Sequence, residues 1–152
     1  MEQDTCRKVM DMLDNNEYVQ LLGIKIEEIS LGHCKGKMEV SGRIENPYGA
    51  LHGGSLYSFA DIIAGAAACT YGNPVVTVSG SMNFLLPAAG MEYIYQPSKP
   101  LTPTSRLSSS RHSQKRSHVA LKTKTSPTLT MYSAGSATWI FSSLSSNLLK
   151  TR

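Results

Sequence analysis

Residues 46–61 read Asn-Pro-Tyr-Gly-Ala-Leu-His-Gly-Gly-Ser-Leu-Tyr-Ser-Phe-Ala-Asp, gathering an Asn, a His, two adjacent glycines and a lone carboxylate within an otherwise bland chain. His52-Gly53-Gly54 stands where an Ala-rich helix is expected to begin. A helix start leaves backbone N–H groups unpaired and carries partial positive charge. Glycine at 53 and 54 removes the Cβ, so a carbonyl oxygen can approach those donors, as the oxyanion of an acyl transfer does. Asp61 is the sole acid between Glu45 and Glu92. On an apolar helix an idle carboxylate incurs a desolvation penalty, so Asp61 is expected to face a polar site.

The spacing adds a condition. Eight residues at about 1.5 Å each put Asp61 roughly 12 Å along one helix axis from the Gly53 N–H. A base and an oxyanion donor must both lie about 3 Å from one reacting group. One helix hardly supplies both, whereas two antiparallel copies across a two-fold axis bring Asp61 of one chain near Gly53 of the other. The expectation is a homodimer with two shared sites. Plainer roles stay open for each residue. His-Gly-Gly also serves as a tight turn, Asp61 as a hydrogen-bonded buried carboxylate, His52 as a loop ligand and Asn46 as a turn cap.

The elements that must position these residues follow from periodicity. Residues 5–22 carry Val9, Met10, Leu13, Tyr18, Leu21 and Leu22 at helical spacing, with Asn15-Asn16 as a divider. From Gly23 the period changes to two, giving two strands joined through Ser30-Leu-Gly-His33. Asn46-Pro-Tyr-Gly49 is turn chemistry. From Gly54 to about Thr70 the sequence is helical and apolar nearly all round, which predicts a helix wrapped by a sheet. Tyr71-Gly-Asn-Pro74 stops it. Val75 to Leu86 reads as a strand with Val76, Val78, Met82 and Phe84 on one face and Thr77, Ser79, Ser81 and Asn83 on the other. Met91 to Tyr95 begins another strand. Gln96 to Ser117 is polar, basic and rich in Ser, Thr and Pro, with too little apolar alternation to place a strand, so whether one crosses it stays open. Strand patterning returns at 119–125 and 129–141, and the tail from Ser142 is weakly patterned. The fold class is α+β, one sheet around one helix, with residues 1–152 as a single domain.

Composition bounds the rest. The chain has 152 residues, 41% hydrophobic and 17% charged, which suits one globular unit. No apolar run approaches the roughly 20 residues that span a bilayer, and the N-terminus has no apolar signal core, so the cytoplasm and no membrane partner are expected. Cys6, Cys34 and Cys69 match no zinc spacing and are expected as free thiols, Cys69 buried. Through Glu92 the chain carries 6 Lys/Arg against 11 Asp/Glu; from Tyr93 onward it carries 9 Lys/Arg and no acid.

Taken together, Asn46-Pro-Tyr-Gly49-x-x-His52-Gly53-Gly54, Asp61, Val76-Thr77-Val78 and Asn83-Phe84-Leu85-Leu86-Pro87-Ala88 resemble the hotdog-fold thioesterases of the PaaI (phenylacetate-degradation) type. The resemblance covers about residues 18–95. It implies a long central helix wrapped by an antiparallel sheet, dimers whose sheets join, often paired into tetramers, and hydrolysis of acyl-coenzyme A thioesters. It also implies roles. Asp61 is the general base or nucleophile, Gly53 N–H polarises the thioester carbonyl, Asn46 orients the thioester or water, and His52 supports that loop. Thr77 matches a hydroxyl residue that positions the water. Gly54 and Asn83 fall on the substrate side of the motif. No metal or redox cofactor is implied, since coenzyme A enters with the substrate. The match departs at Leu86, where the family often has Arg, and at Thr104-Ser105-Arg106, where it has a Gly-Arg or Gly-Lys turn. Arg106 remains a candidate for a nucleotide phosphate, beside Lys99 and Arg111. Tyr48, Leu51, Leu56, Tyr57 and Phe59 are candidates for an acyl pocket.

Three other functions compete. A non-catalytic acyl-CoA sensor keeps the pocket but has no need of Asp61. Hydration or dehydration of acyl thioesters uses a converging His and acid, which His52 and Asp61 also offer. A nucleic-acid surface on the basic C-terminal half has no motif or interleaved aromatics, and no nucleic acid is expected as a partner.

Overall fold

The computed structural model describes residues 2–84, 88–97, 112–123 and 133–143, with 91, 95–97, 112–123 and 133–143 described by their backbone. Asn15-Asn16 divides the first apolar stretch into α1 (Glu2–Asp14) and α2 (Glu17–Leu21). Asn16 caps α2, its side-chain oxygen accepting from the N–H groups of Tyr18 and Val19 at 3.0 and 3.1 Å. α1 turns Cys6, Val9 and Leu13 inward. The restart at Asn16 resets the helical phase. Val19 and Leu22 are therefore buried, while Tyr18 and Leu21, expected inward, are 51% and 59% exposed.

β1 (Ile24–Ser30) and β2 (His33–Glu39) form the expected hairpin, with Gly32 at φ +70° in its two-residue connection. Then comes α3 (Gly53–Cys69), whose Leu56, Phe59, Ala60, Ile63, Ala64, Ala66, Ala67 and Ala68 are buried. Phe59 and Ile63 meet Met38, Cys34 and Ile94 of the sheet in one core. Complete burial of side chains of this size stabilises by about 1.5–3 kcal/mol each. α3 lies so close to β2 that a Cβ on Gly36 would stand 2.4 Å from Ile63 Cδ1. At its far end Thr70 Oγ1, buried, accepts from Gly32 N–H and donates to the Ala67 carbonyl, both at 2.7 Å, tying the hairpin to the helix.

β3 (Val75–Phe84), β4 (Met91–Pro97), β5 (His112–Thr123) and β6 (Ser133–Ser143) complete an antiparallel six-stranded sheet of order β1-β2-β4-β5-β6-β3. The α+β reading with a sheet around a central helix holds. The polar segment 96–117, whose patterning places no strand, holds the end of β4 at Pro97 and the start of β5 at His112. A central strand with a ladder on both edges is held by backbone pairing, which an alternation of apolar side chains does not report. β6 likewise carries strand to Ser143, two residues into the weakly patterned tail. Residues 98–111 and 144–152 lie outside the described residues.

One expectation, for β3, is corrected. Its pairing with β6 shifts register between Thr77 and Ser79, leaving Val78 as the extra residue of a bulge. Side-chain alternation reverses there. Val75, Thr77, Gly80, Met82 and Phe84 share one face, and Val76, Ser79, Ser81 and Asn83 the other. Val75 and Met82 pack against Ala60, Ala64 and Ala68 of α3, so the first set faces the helix. The uninterrupted Thr77/Ser79/Ser81/Asn83 row expected from period two does not exist.

Candidate active site

Asn46 sets the loop that leads into α3. Its side-chain oxygen accepts from Tyr48 N–H at 2.9 Å and Ala50 N–H at 3.1 Å, and its backbone N–H donates to the Ala50 carbonyl at 2.7 Å. Gly49, at φ +73°, closes the turn by donating to the Asn46 carbonyl at 3.0 Å. Asn46 thus caps its own loop through the oxygen. The Nδ2 group has no partner among the described residues and is the part left for a ligand. Tyr48 stands at the tip, 92% exposed.

The loop returns through Leu51 to His52, whose N–H donates to the Ile44 carbonyl at 2.8 Å. His52 is the N-cap of α3 in extended conformation, and its Nδ1 accepts from Gly54 N–H at 3.1 Å. A ring nitrogen that accepts is unprotonated, so the neutral ring carries its proton on Nε2. This contact divides the two glycines. Gly54 N–H is used by the cap, whereas Gly53 N–H has no acceptor among the described residues. Of the two N–H groups at the helix start, the one left without an acceptor among the described residues is therefore that of Gly53. A Cβ on Gly54 would lie 3.3 Å from His52 Nδ1, so glycine there protects the cap; one on Gly53 would meet only the Phe84 ring, at 3.6 Å.

Asp61 lies two turns on, half-buried. Thr77 Oγ1 donates to Asp61 Oδ1 at 2.6 Å, joining β3 to α3. Burial pushes the Asp61 carboxyl above the usual carboxylate range, and the Thr77 hydroxyl opposes that shift. A carboxylate held by one hydroxyl and otherwise desolvated is poised to take a proton.

The structure brings Asp61 and Thr77 into contact, and His52, Gly53 and Gly54 into one cap. Gly53 and Asp61 sit on one helix about 12 Å apart along its axis, so a single chain does not bring them together. Asn83, expected on the substrate side, is exposed on the β3 face turned away from α3, because of the bulge. Leu51, Leu56 and Phe59, candidates for an acyl pocket, are 6%, 3% and 0% exposed and belong to the core. Arg106, Lys99 and Arg111 lie outside the described residues. Among the described residues no group of three His, Cys, Asp or Glu is placed to hold a metal, and no helix is long and apolar enough to cross a membrane. Cys6 and Cys34 are buried and Cys69, expected inside, is half-buried; none of the three forms a disulfide among the described residues. Phe84 was missed by sequence reasoning, which assigned it to the face opposite Thr77. Only the bulge reveals its place, and nothing in Thr-Val-Ser marks one.

Residues 48–95 match the family model of the thioesterase superfamily. No curated protein shows a significant sequence match. Among solved structures, a thioesterase family protein from Silicibacter pomeroyi superposes with a TM-score of 0.79 at 20% identity, over 92% of this chain and 98% of that one. The PaaI protein from the phenylacetic acid degradation operon of E. coli gives 0.76 at 16% identity, over 93% and 96%. An aspartate-to-alanine mutant of a hypothetical thioesterase protein from Streptococcus pneumoniae gives 0.66 at 19% identity, over 79% and 89%. A threonine-to-alanine mutant of the same protein, altered sixteen positions later in its sequence, gives 0.64 at 18% identity, over 79% and 88%. The superpositions show the fold, a hotdog, and the thioesterase superfamily match covers residues 48–95 within it.

Proposed function

We propose that the protein hydrolyses acyl-CoA thioesters to the free acid and coenzyme A, at two sites shared between the subunits of a homodimer. The observation that carries this reading is the Thr77–Asp61 pair on an otherwise apolar helix, two turns from an unpartnered N–H at Gly53. Two supports come from outside the chain. The superfamily match spans the segment holding Gly53, Asp61 and Thr77. The Streptococcus pneumoniae structures are alanine variants of an aspartate and of a threonine sixteen positions later, the same separation as Asp61 and Thr77.

In this mechanism the thioester oxygen accepts from Gly53 N–H of one subunit, with the Asn46 amide nitrogen alongside it. Asp61 of the other subunit takes a proton from water as that water's oxygen bonds to the carbonyl carbon, or attacks that carbon itself to form an acyl anhydride that water then hydrolyses. The C–S bond breaks, and the departing thiolate is protonated by the Asp61 carboxyl in the first route or by solvent in the second. Thr77 holds the Asp61 carboxylate in one rotamer, and His52 holds the helix start. Arg106 is the proposed partner of a nucleotide phosphate. β3 is a sheet edge with Val76 and Val78 45% and 56% exposed, which suits pairing with a second β3 across the two-fold.

The test is thiol release from short, medium, long and aryl acyl-CoAs, comparing the protein with Asp61→Ala at equal oligomeric state. A loss of about 10²-fold or more in a folded variant is expected for a missing base. Turnover that survives in Asp61→Ala would overturn the mechanism. Binding of acyl-CoA with no turnover by the unaltered protein would favour a sensor instead.

A further inference from the structure

The bulge at Val78 does more than bring Thr77 to Asp61. It also turns Phe84, at the other end of β3, onto the same face as Thr77. Phe84 Cε1 and Cζ stand 3.6 Å from the position of a Gly53 Cβ, so the ring flanks the first residue of α3. A helical Cα–Cβ bond tilts toward the helix N-terminus, the same side to which the free N–H points. The ring and the donor therefore border one space. The ring is 54% exposed, while Leu51, Leu56 and Phe59 near the helix start are sealed into the core. Phe84 thus leaves an apolar surface facing that space, beside Tyr48 at 92% exposed on the preceding loop and the half-buried Tyr57 of α3.

Resting on the thioesterase reading, we infer that Phe84 is a specificity-determining residue whose ring forms the wall against which the acyl group packs. A thioester oxygen accepting from Gly53 N–H at about 2.9 Å holds the carbonyl carbon and its first substituents within van der Waals reach of a neighbour of Gly53. The ring then rewards apolar acyl groups of several carbons over acetyl, in proportion to the area they cover.

The experiment measures kcat/KM for hexanoyl-CoA and acetyl-CoA in the unaltered protein, Phe84→Ala and Phe84→Leu. The hexanoyl-to-acetyl ratio is expected to fall about tenfold in Phe84→Ala, equivalent to about 1.4 kcal/mol, chiefly through the KM for hexanoyl-CoA. Phe84→Leu, which keeps an apolar surface, should fall in between. A ratio within twofold of the unaltered protein in both folded variants overturns the inference. The thioether analogues S-hexyl-CoA and S-methyl-CoA, titrated calorimetrically, provide a readout independent of turnover. If the unaltered protein releases no thiol, the hydrolase reading fails alone. A hexyl-selective loss of affinity in Phe84→Ala then still supports the wall, and an unchanged affinity ratio overturns it.

Discussion

Thr77 Oγ1 donates to Asp61 Oδ1 over 2.6 Å, a contact between strand and helix that stabilises the ionised form of a half-buried carboxylate. The two influences on Asp61 are opposed, burial being the larger. A base with a raised pKa loses activity as pH falls through that value. The acid limb of kcat/KM should therefore lie above the ordinary carboxylate value of 3.8. Thr77→Val removes the hydroxyl and should move the limb to higher pH, while Thr77→Ser should leave it in place. A pH profile of thiol release from pH 4 to 9 checks both.

The same carboxylate opposes folding. Its pKa is higher in the folded than in the unfolded chain, so the folded state binds more protons. Stability from this group is greatest at low pH and falls as pH rises through the window above 3.8. Asp61→Asn, which keeps an acceptor for Thr77, should raise Tm by a few degrees at pH 7. The advantage should shrink at pH 3.5, below 3.8, as the folded carboxyl takes up its proton. Thermal unfolding at the two pH values measures the difference.

His52 acts through the helix start. His52→Ala removes the acceptor from Gly54 N–H and should cost about 1 kcal/mol of stability in denaturant unfolding. His52→Ser supplies another acceptor and should recover most of it. If capping is the whole role of His52, the serine variant should recover thiol release as well.

Gly36 is required by the approach of α3. Gly36→Ala brings a Cβ to 2.4 Å from Ile63 Cδ1 and 3.1 Å from the Lys25 carbonyl, in a packed core. A loss of about 1–3 kcal/mol is expected. Ile63→Val removes the offending methyl, so the double variant should be more stable than the sum of the two single losses. A double-mutant cycle by chemical denaturation reads this coupling.

Shared sites make a complementation experiment possible. Gly53→Pro deletes the free N–H at a position where proline suits a helix, and His52, at ψ 131°, already has the backbone that precedes a proline. Gly53→Pro and Asp61→Ala should each be inactive alone. Subunits exchanged between the two should regain about a quarter of the unaltered turnover, since half the dimers are mixed and each holds one intact site. No recovery after demonstrated exchange would mean that the two residues do not serve one site.

Much of this arrangement was legible in the residues. The apolar helix with its single acid, the two-residue hairpin at Leu31-Gly32 and the break at Asn15-Asn16 each announce themselves through local chemistry. What escaped depends on relations between segments. The bulge at Val78 exists only in the pairing of β3 with β6, so period two put Thr77 on the face of Asn83 instead of that of Phe84. Val19 replaced Tyr18 and Leu21 in the core because a five-residue helix starts its own phase. β5 is held by neighbours on both edges, a source of order that its own polar residues do not display.

The Val78 bulge makes the content of the site depend on how one residue is accommodated as well as on residue identity. Were Val78 paired in the ladder, with the strand still anchored at Thr77, strict alternation would send Phe84 outward and Asn83 inward beside Gly53. An apolar border would become a carboxamide with no residue there replaced. The choice between bulge and ladder at this one position is thus a route by which one helix and one aspartate can be offered to different acyl groups.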